Sequence, residues 1–182
     1  HSAIDNILLR LKRSSSLRFV RLGNPDKIPP ELHASCFDTQ QFQSLSHLEA
    51  FYMNAPLVAC TSLGSNAYIH KIIYLSELLI VFRAVLNRRR FDYCIVDEAS
   101  QISVPASLGP LRLASAFILV GDHYQLPPLV KSRQAVEEGL NQSLFSILAQ
   151  AFPSAITMLR LHYRMNLDIM AISNKLVYNG ML

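Results

Sequence analysis

The stretch that decides the fold is FDYCIVDEAS, residues 91–100, in which a short apolar run ends directly in Asp97 and Glu98. An apolar run of this length, bounded by polar residues, is typical of a buried strand. A second run, SAFILVGD, ends in the same way at Gly121 and Asp122. Because α/β proteins bind ligands at the carboxyl ends of parallel strands, the two runs predict an α/β fold with a polar site at one edge of its sheet.

Helical and extended patterns alternate along the rest of the chain. Apolar side chains recur at helical spacing in residues 3–13 and 44–54, and SLFSILAQAF reads as a helix with Ser143 as a candidate N-cap. Further strands are predicted for LRFVRLG, APLVACTS and AITMLRLHYR. Helices between successive strands favour parallel pairing, since parallel neighbours need a crossover connection.

The composition indicates one packed domain rather than a disordered tail. The chain has 182 residues, 51% of them hydrophobic, which is enough for a core of ordinary size. Its three cysteines are far apart and show no C-x-x-C spacing. Neither a disulfide framework nor a zinc site is therefore indicated, and we expect a reducing compartment.

The basic residues are clustered, and the net charge of +4 is compatible with a polyanionic partner but is weak evidence alone. A solvated basic face explains the same clustering equally well, so both interpretations stay open. The clusters comprise Arg10, Lys12, Arg13, Arg18 and Arg21 near the start and Arg88, Arg89 and Arg90 before the quoted stretch.

The apolar segment IHKIIYLSELLIVFRAVL, residues 69–86, is the one stretch that resembles a membrane span. It carries His70, Lys71, Glu77 and Arg83 within the length that a span needs. Its apolar residues also recur at helical spacing. We therefore expect a buried or partner-facing helix and no membrane association.

Each predicted strand from APLVACTS onward ends in a polar cluster that strand formation alone does not require. Since parallel strands present their carboxyl ends to a common crevice, the four clusters are expected to meet at one site. They are Thr61–Ser62, Asp97–Glu98, Gly121–Asp122 with Gln125 just beyond, and Tyr163–Arg164.

The residue types in these clusters suit phosphoryl transfer. A carboxylate such as Asp97 can hold magnesium against phosphate oxygens, and a neighbouring carboxylate such as Glu98 can deprotonate an attacking water. The Gln125 amide can hydrogen-bond both a terminal phosphate and a water, and the Arg164 guanidinium can neutralise charge on the transferred group. A nucleoside triphosphate hydrolase is the leading hypothesis. Taken singly, each feature has a structural explanation, since an Asp–Glu pair often starts a helix or a turn.

Several segments together resemble the motifs of superfamily-one helicases. VDEASQ resembles their Walker B motif, GDHYQLPP their third motif, and YRMN with the following IMAISNKLVYNGML their fourth motif and its continuation. HSAIDNIL resembles the end of motif Ia, and VACTSLG the DNA-contacting motif after it. From FDYCIVDEASQIS through LVGDHYQLPPLV to SNKL, the chain is similar to the DNA replication ATP-dependent helicase/nuclease family.

The resemblance implies a partial RecA-like P-loop NTPase domain, with a mainly parallel sheet and helices on both of its faces. It implies that Asp97 holds magnesium, that Glu98 is the general base for water, and that Gln125 couples the γ-phosphate to the DNA track. It implies further roles for other positions: contact with the γ-phosphate for Arg164, nucleotide binding for Tyr163 and Asp122, and contact with the backbone of single-stranded DNA for Ser2, Thr61 and Ser62.

The same family implies the cofactors and partners. They are ATP with Mg²⁺, single-stranded DNA and, as a candidate protein partner, a single-strand-binding protein. An iron–sulfur cluster is expected only in a nuclease domain outside this chain, and no membrane partner is expected. The implied location is the nucleus, with the mitochondrion as a second compartment.

The chain also departs from the family pattern. It holds no G-x-x-x-x-G-K-[S/T], the loop that cradles the nucleotide phosphates. Residues 1–182 are therefore expected to be a partial first motor domain, from motif Ia to just past motif IV, with little or no ATPase activity of its own. Residues 67–86 look like a non-family insert, and His162 stands where the family pattern has glutamine. Without the strand and helix that flank the phosphate loop, an apolar face of the sheet should be exposed.

Two other functions stay open. An RNA helicase of the same superfamily shares most of the motor motifs, and only the finer sequence favours the DNA enzyme. The second alternative belongs to a different class: a non-catalytic fragment that binds nucleic acid or a partner protein.

Overall fold

The computed structural model describes residues 2–22, 25–36, 44–60 and 89–182. The chain divides into two compact units. The first comprises His1–Ile95 and Pro105–Ile118, and the second comprises Val96–Val104 and Leu119–Leu182. The carboxylates that end the quoted stretch therefore belong to the second unit, together with Asp122.

The first unit opens with the helices and strands that the sequence predicts. In chain order they are helix α1, Ser2–Ser14; strand β1, Phe19–Leu22; helix α2, Leu45–Met53; and strand β2, Leu57–Cys60. Two short 3-10 helices, Pro25–Lys27 and Pro30–Ser35, occupy the proline-rich loop after β1. β1 and β2 pair in parallel, from Phe19 opposite Leu57 to Leu22 opposite Cys60.

Helix α1 packs its apolar stripe against β1 and the second 3-10 helix. The buried cluster consists of Leu8, Phe19, Ile28, Leu32 and Cys36. Apolar residues at helical spacing create such a stripe. Burial of each leucine-sized side chain contributes roughly 1.5–3 kcal/mol, so this cluster stabilises the packing of α1 on β1 and the second 3-10 helix.

Arg21 is buried in the first unit. This corrects the prediction that it shares a charged surface with the other N-terminal basic residues. Its Nε donates to Asp5 Oδ1 at 2.8 Å, and its Nη1 donates to the Leu22 carbonyl at 2.6 Å. Both charged side chains are buried, which requires close pairing because water no longer solvates them. Arg10 and Arg13 stay exposed and remain available to an anionic partner.

The quoted stretch forms a strand, as predicted. Strand β3, Phe91–Val96, pairs with strand β4, Ala114–Leu119. The Phe91 N–H donates to the Leu113 carbonyl at one end, and the Val120 N–H donates to the Val96 carbonyl at the other, so the strands run in parallel. Helix α3, Val104–Leu111, lies in the crossover between them.

Arg89 ties the end of α2 to the start of β3. Its guanidinium lies 5.3 Å from the ring centroid of Tyr52 and 4.4 Å from that of Phe91. It also donates to the carbonyls of Tyr52 and Ala55. These contacts combine cation–π attraction with hydrogen bonds. Arg89 therefore has a structural role and is not part of an exposed basic cluster.

The helices of the second unit have polar N-caps. They are α4, Arg133–Glu137; α5, Leu144–Ala151; and α6, Leu167–Leu176. The N-cap of α5 is Ser143, as predicted, and its Oγ accepts a hydrogen bond from the Ser146 N–H at 3.1 Å. Side-chain caps of this kind satisfy N–H groups that have no partner within the helix.

The strand predicted for AITMLRLHYR, residues 155–164, is wrong. The segment follows a 3-10 turn at Pro153–Ala155 and has no strand structure. Leu159 and Leu161 are 78% and 77% exposed. A strand needs the backbone of a neighbour, and no strand in the described part of the chain pairs with this segment. The described strands also form two separate pairs, β1–β2 and β3–β4, rather than one continuous sheet.

Exposed apolar side chains on β3 agree with the expectation of an uncovered sheet face. Tyr93 and Ile95, two positions apart on β3, lie on the same face of the strand pair and are 67% and 68% exposed. Within the four described ranges, no helix is both long enough and apolar enough to cross a membrane. The predictions for residues 69–86 and 67–86 lie outside the described residues.

Candidate functional site

The turn after β3 presents two carboxylates to solvent. Glu98 has φ 52° and ψ 37°, a left-handed conformation that residues other than glycine seldom adopt. The Asp97 Oδ1 accepts a hydrogen bond from the Glu98 N–H at 3.1 Å, and the Gln101 amide donates to Glu98 Oε2 at 3.1 Å. The 3-10 turn Ala99–Gln101 follows directly. Unusual backbone of this kind is frequent at functional sites, where it aims a side chain.

The end of β4 is fastened to this turn. The Ala99 N–H donates to the Val120 carbonyl at 2.8 Å, and the Asp122 N–H donates to Ser100 Oγ at 3.3 Å. A Cβ on Gly121 would lie only 3.0 Å from the Ser100 backbone nitrogen. A glycine is therefore needed where the backbones after the two strands approach each other closely.

Asp122 is the centre of a hydrogen-bonded cluster that also contains Tyr124, Gln125 and Tyr178. Its Oδ1 accepts from the Tyr124 N–H at 3.0 Å, and its Oδ2 accepts from the Gln125 amide at 2.9 Å. The Tyr178 hydroxyl donates to the same Oδ2. The rings of Tyr124 and Tyr178 meet edge to face, with their centroids 5.8 Å apart.

These contacts set the protonation states of the cluster. Burial of Asp122 raises its pKa, but the hydrogen bonds from Tyr178, Tyr124 and Gln125 outweigh that effect and hold the pKa below its ordinary value. The hydrogen bond to Asp122 raises the pKa of Tyr178, and burial acts in the same direction. At neutral pH, Asp122 is consequently a carboxylate that accepts hydrogen bonds and Tyr178 is a neutral donor.

Tyr163 and Arg164 lie apart from that network in the described structure. Tyr163 is 90% exposed, and the Arg164 side chain has no hydrogen bond to any residue within the described ranges. The neighbouring His162 caps the local turn, because its Nδ1 accepts from the N–H groups of Arg164 and Met165, both at 3.2 Å. Of the four predicted clusters, those after β3 and β4 meet, Tyr163–Arg164 lies apart from them, and Thr61–Ser62 is outside the described residues.

The remaining predicted positions concern nucleic acid. Ser2 is the first residue of α1, and the structure does not describe its side chain. Thr61 and Ser62, immediately after β2, lie outside the described residues. Their predicted contacts with DNA stay predictions.

The donor set at the end of β3 fits magnesium held together with a nucleotide. The Asp97 side chain is exposed, and only Oδ1 is hydrogen-bonded by a described residue. The described ranges contain no group of three or more His, Cys, Asp or Glu side chains placed to hold a metal ion. Mg²⁺ commonly binds through one or two carboxylates, completed by water and substrate phosphates, so a single free carboxylate oxygen suffices.

The sequence interpretation missed Tyr178 as a member of the site. This residue is 56 positions away from Asp122 in the chain, on the turn that follows α6. Asn179 and Gly180, with φ of 52° and 79°, form that turn. Asn-Gly after a tyrosine predicts a turn, but no local pattern indicates which distant carboxylate the hydroxyl will contact.

Comparison with known families identifies two matching regions. Two family profiles, both described as an AAA domain, match residues 49–133 and 140–182. The first region contains the turn after β3 and most of the Asp122 cluster, and the second contains Arg164 and Tyr178. AAA domains have the P-loop NTPase fold, which agrees with the parallel strand pairs and helical crossover described above.

Several relatives align with the whole chain, including the following three. The DNA replication ATP-dependent helicase/nuclease of Schizosaccharomyces pombe is 48% identical over 183 residues, that of Xenopus laevis 47% over 186, and that of Homo sapiens 42% over 186. The chain covers 12%, 16% and 16% of their respective lengths. Both matched regions are AAA domains, and over its whole length the chain is similar to a segment of the DNA replication ATP-dependent helicase/nuclease family.

Proposed function

We propose that this chain is part of an ATP-driven motor that moves along single-stranded DNA, with ATP hydrolysed at the carboxyl ends of β3 and β4. The observation that carries the proposal is the hydrogen-bonded junction between two polar groups. The Asp97–Glu98 turn is fastened to the Asp122–Gln125 loop through Ala99 and Ser100. A carboxylate pair beside an amide is suited to binding a metal nucleotide and activating water.

Asp97 holds magnesium in this proposal. Its exposed side chain keeps one oxygen without a hydrogen bond from the described residues, while the Glu98 N–H fixes the other oxygen. When bound, the metal neutralises negative charge on the nucleotide phosphates. The contribution of the chain is a carboxylate held at a fixed place at the tip of a strand.

Glu98 acts as the general base. Its side chain is exposed, and the Gln101 amide holds Oε2 at 3.1 Å. Oε1 is then the oxygen that accepts a proton from the attacking water. As water attacks the γ-phosphorus, the bond to the bridging oxygen breaks and ADP carries away the bonding electrons.

Gln125 and Arg164 complete the proposed site. Gln125 lies on the loop after β4, where its amide can orient the water or contact the γ-phosphate. Arg164 and Tyr163 are exposed, so we propose that they close on the nucleotide when it binds. The arginine supplies a permanent charge with planar geometry that suits a phosphoryl group.

The DNA track is assigned to the other predicted positions. Ser2, Thr61 and Ser62 contact the sugar–phosphate backbone, and the exposed Arg10 and Arg13 add favourable charge. We further propose that residues 1–182 are a partial RecA-like first motor domain of a longer enzyme. That enzyme acts in the nucleus, in replication and repair, alongside a single-strand-binding protein.

Magnesium-dependent nucleotide binding tests the proposed role of Asp97. A fluorescent, non-hydrolysable ATP analogue is titrated into the complete gene product that contains residues 1–182, with Mg²⁺ or with EDTA. Asp97→Ala should weaken binding about tenfold or more in Mg²⁺, because a metal contact is lost. In EDTA it should bind like the unsubstituted protein.

Asp92→Ala is the matched control, since Asp92 is an exposed carboxylate on β3, the strand that Asp97 follows. It should leave binding unchanged in both buffers. Equal affinity of Asp97→Ala and Asp92→Ala in Mg²⁺ would contradict the assignment. Repeating the titration with single-stranded DNA and with single-stranded RNA separates the DNA motor from an RNA helicase, because only the matching polymer should change nucleotide affinity.

A further inference from the structure

We propose that Tyr178 is a positioning residue for ATP hydrolysis, which fixes the orientation of the Gln125 amide through the Asp122 carboxylate. The inference rests on the proposed function of the same site. It adds a residue from the turn after α6, a separate part of the chain from the two strand ends that carry the carboxylates.

The backbone around Tyr178 is anchored, so its hydroxyl has a defined place. The Tyr178 N–H donates to the Asn174 carbonyl at 3.2 Å, and the Gly180 N–H donates to the same carbonyl at 3.1 Å. The Asn174 side chain in turn bonds both the N–H and the carbonyl of Leu182, at 3.0 and 2.7 Å. The turn after α6 is thereby closed by hydrogen bonds on both sides of the tyrosine.

The Tyr178 hydroxyl holds the Asp122 carboxylate in one orientation. Oδ2 accepts from both Tyr178 and Gln125, while Oδ1 accepts from the Tyr124 N–H. The edge-to-face contact between the rings of Tyr124 and Tyr178 limits rotation of the tyrosine. Three donors on one carboxylate leave it little freedom to turn.

The fixed carboxylate in turn dictates which way the Gln125 amide faces. An ionised carboxylate only accepts hydrogen bonds, so Nε2 must point toward Asp122. Oε1 is then directed away from Asp122 and is free to accept a hydrogen bond from water. Loss of the Tyr178 hydroxyl would release the carboxylate and allow the amide to take other orientations.

The test is steady-state ATP hydrolysis with single-stranded DNA by the complete gene product. Tyr178→Phe keeps the ring contact with Tyr124 and removes only the hydroxyl. We expect kcat to fall about tenfold, as for other residues that orient a functional group, with KM for ATP within about twofold and an unchanged thermal midpoint. Tyr93→Phe, which removes the hydroxyl of an exposed tyrosine on β3, is the matched control and should change none of these.

Two further variants exclude a merely structural role. In a Gln125→Ala background, Tyr178→Phe should have no additional effect on kcat, because the tyrosine acts through that amide. Asp122→Asn leaves Tyr178 in place and should reproduce the loss, since a side-chain amide permits Gln125 to face either way. Full activity of Tyr178→Phe, or an equal loss with and without Gln125, would overturn the inference while the proposed function stands. An unsubstituted protein without DNA-stimulated hydrolysis would overturn both.

Discussion

Gly121 is the residue whose size the site constrains most tightly. A Cβ there would meet the Ser100 backbone nitrogen at 3.0 Å, and backbone cannot move aside as a flexible side chain can. We expect Gly121→Ala to lower the free energy of unfolding of the full chain by about 1–3 kcal/mol, as overpacking does elsewhere. Thermal or urea unfolding measures the effect.

Gly109→Ala is the matched control for that substitution. Gly109 lies in helix α3 with no atom within 4 Å of the position of a new Cβ. Alanine there should change stability by less than about 1 kcal/mol, because its better helix propensity is offset by the contact of its Cβ with the ring of Pro110. Stabilisation of both alanine variants would contradict the close approach of the backbones that follow β3 and β4.

Tyr52 should make the stability of the chain depend on alkaline pH. Burial raises the pKa of its phenol from 10.0 to about 12, although the nearby charge of Arg89 opposes that shift. A raised pKa means that the folded state holds the proton more tightly than the unfolded state. The stabilisation that the protonated Tyr52 phenol contributes is therefore full below pH 10.0, and it is lost as the pH rises to about 12.

Comparison with Tyr52→Phe isolates this effect, because phenylalanine cannot ionise. The difference in thermal midpoint between the two proteins should be constant below pH 10.0. Above that pH, the midpoint of the unsubstituted chain should fall relative to that of Tyr52→Phe. Tyr93→Phe, at an exposed tyrosine, should show no such shift. A pH-independent difference for Tyr52→Phe would show that the phenol is not desolvated.

The roles of single residues were predictable only where local chemistry decides them. Ser143 could be recognised as an N-cap and Asp97 as a carboxylate at a strand end from their immediate neighbours. Arg21 and Tyr178 could not, because their partners are 16 and 56 positions away. An arginine in a basic cluster looks available to an anion until the fold buries it against Asp5.

Helix α1 and strand β1 are joined by that buried ion pair. Asp5→Ala removes a buried hydrogen bond between charged groups, so we expect a loss of about 1.5–3 kcal/mol in the free energy of unfolding. Asp92→Ala, at an exposed carboxylate on β3, should cost far less. Equilibrium unfolding in urea gives both values.

Replacement of both members of the pair distinguishes a packing effect from a charge effect. An Asp5→Leu, Arg21→Met variant removes both charges and keeps apolar volume, so it should be more stable than Asp5→Ala. A double variant that is no more stable than Asp5→Ala would mean that the loss does not come from the buried charge of Arg21.

Helices and strands with strong local signals lie where the sequence predicts them. The strand predicted for residues 155–164 did not form, for a physical reason. α1, α2, α5 and the four described strands lie where apolar periodicity and capping residues predict them. Residues 155–164 have a similar apolar pattern but no described strand beside them. Apolar patterning can favour an extended segment, whereas the backbone of a neighbouring strand is needed to complete it.

The whole chain corresponds to a small share of much longer relatives. It covers 12% of the Schizosaccharomyces pombe enzyme and 16% of the human enzyme, and it contains no G-x-x-x-x-G-K-[S/T]. The fold class was predictable because polar clusters after apolar runs are local features. The grouping of the described strands into two pairs was not, since pairing depends on contacts far apart in sequence.

Hydrolysis of ATP with and without single-stranded DNA is the measurement that tests the central claim most directly. The complete gene product is compared with Glu98→Gln, which keeps the size of the side chain but cannot accept the proton, and with Glu137→Gln, at an exposed glutamate of α4. We predict DNA-stimulated hydrolysis that Glu98→Gln lowers about 10²–10⁴-fold without loss of nucleotide binding, whereas Glu137→Gln has no effect. Hydrolysis by Glu98→Gln at the unsubstituted rate would contradict the assignment of the catalytic site to the end of β3.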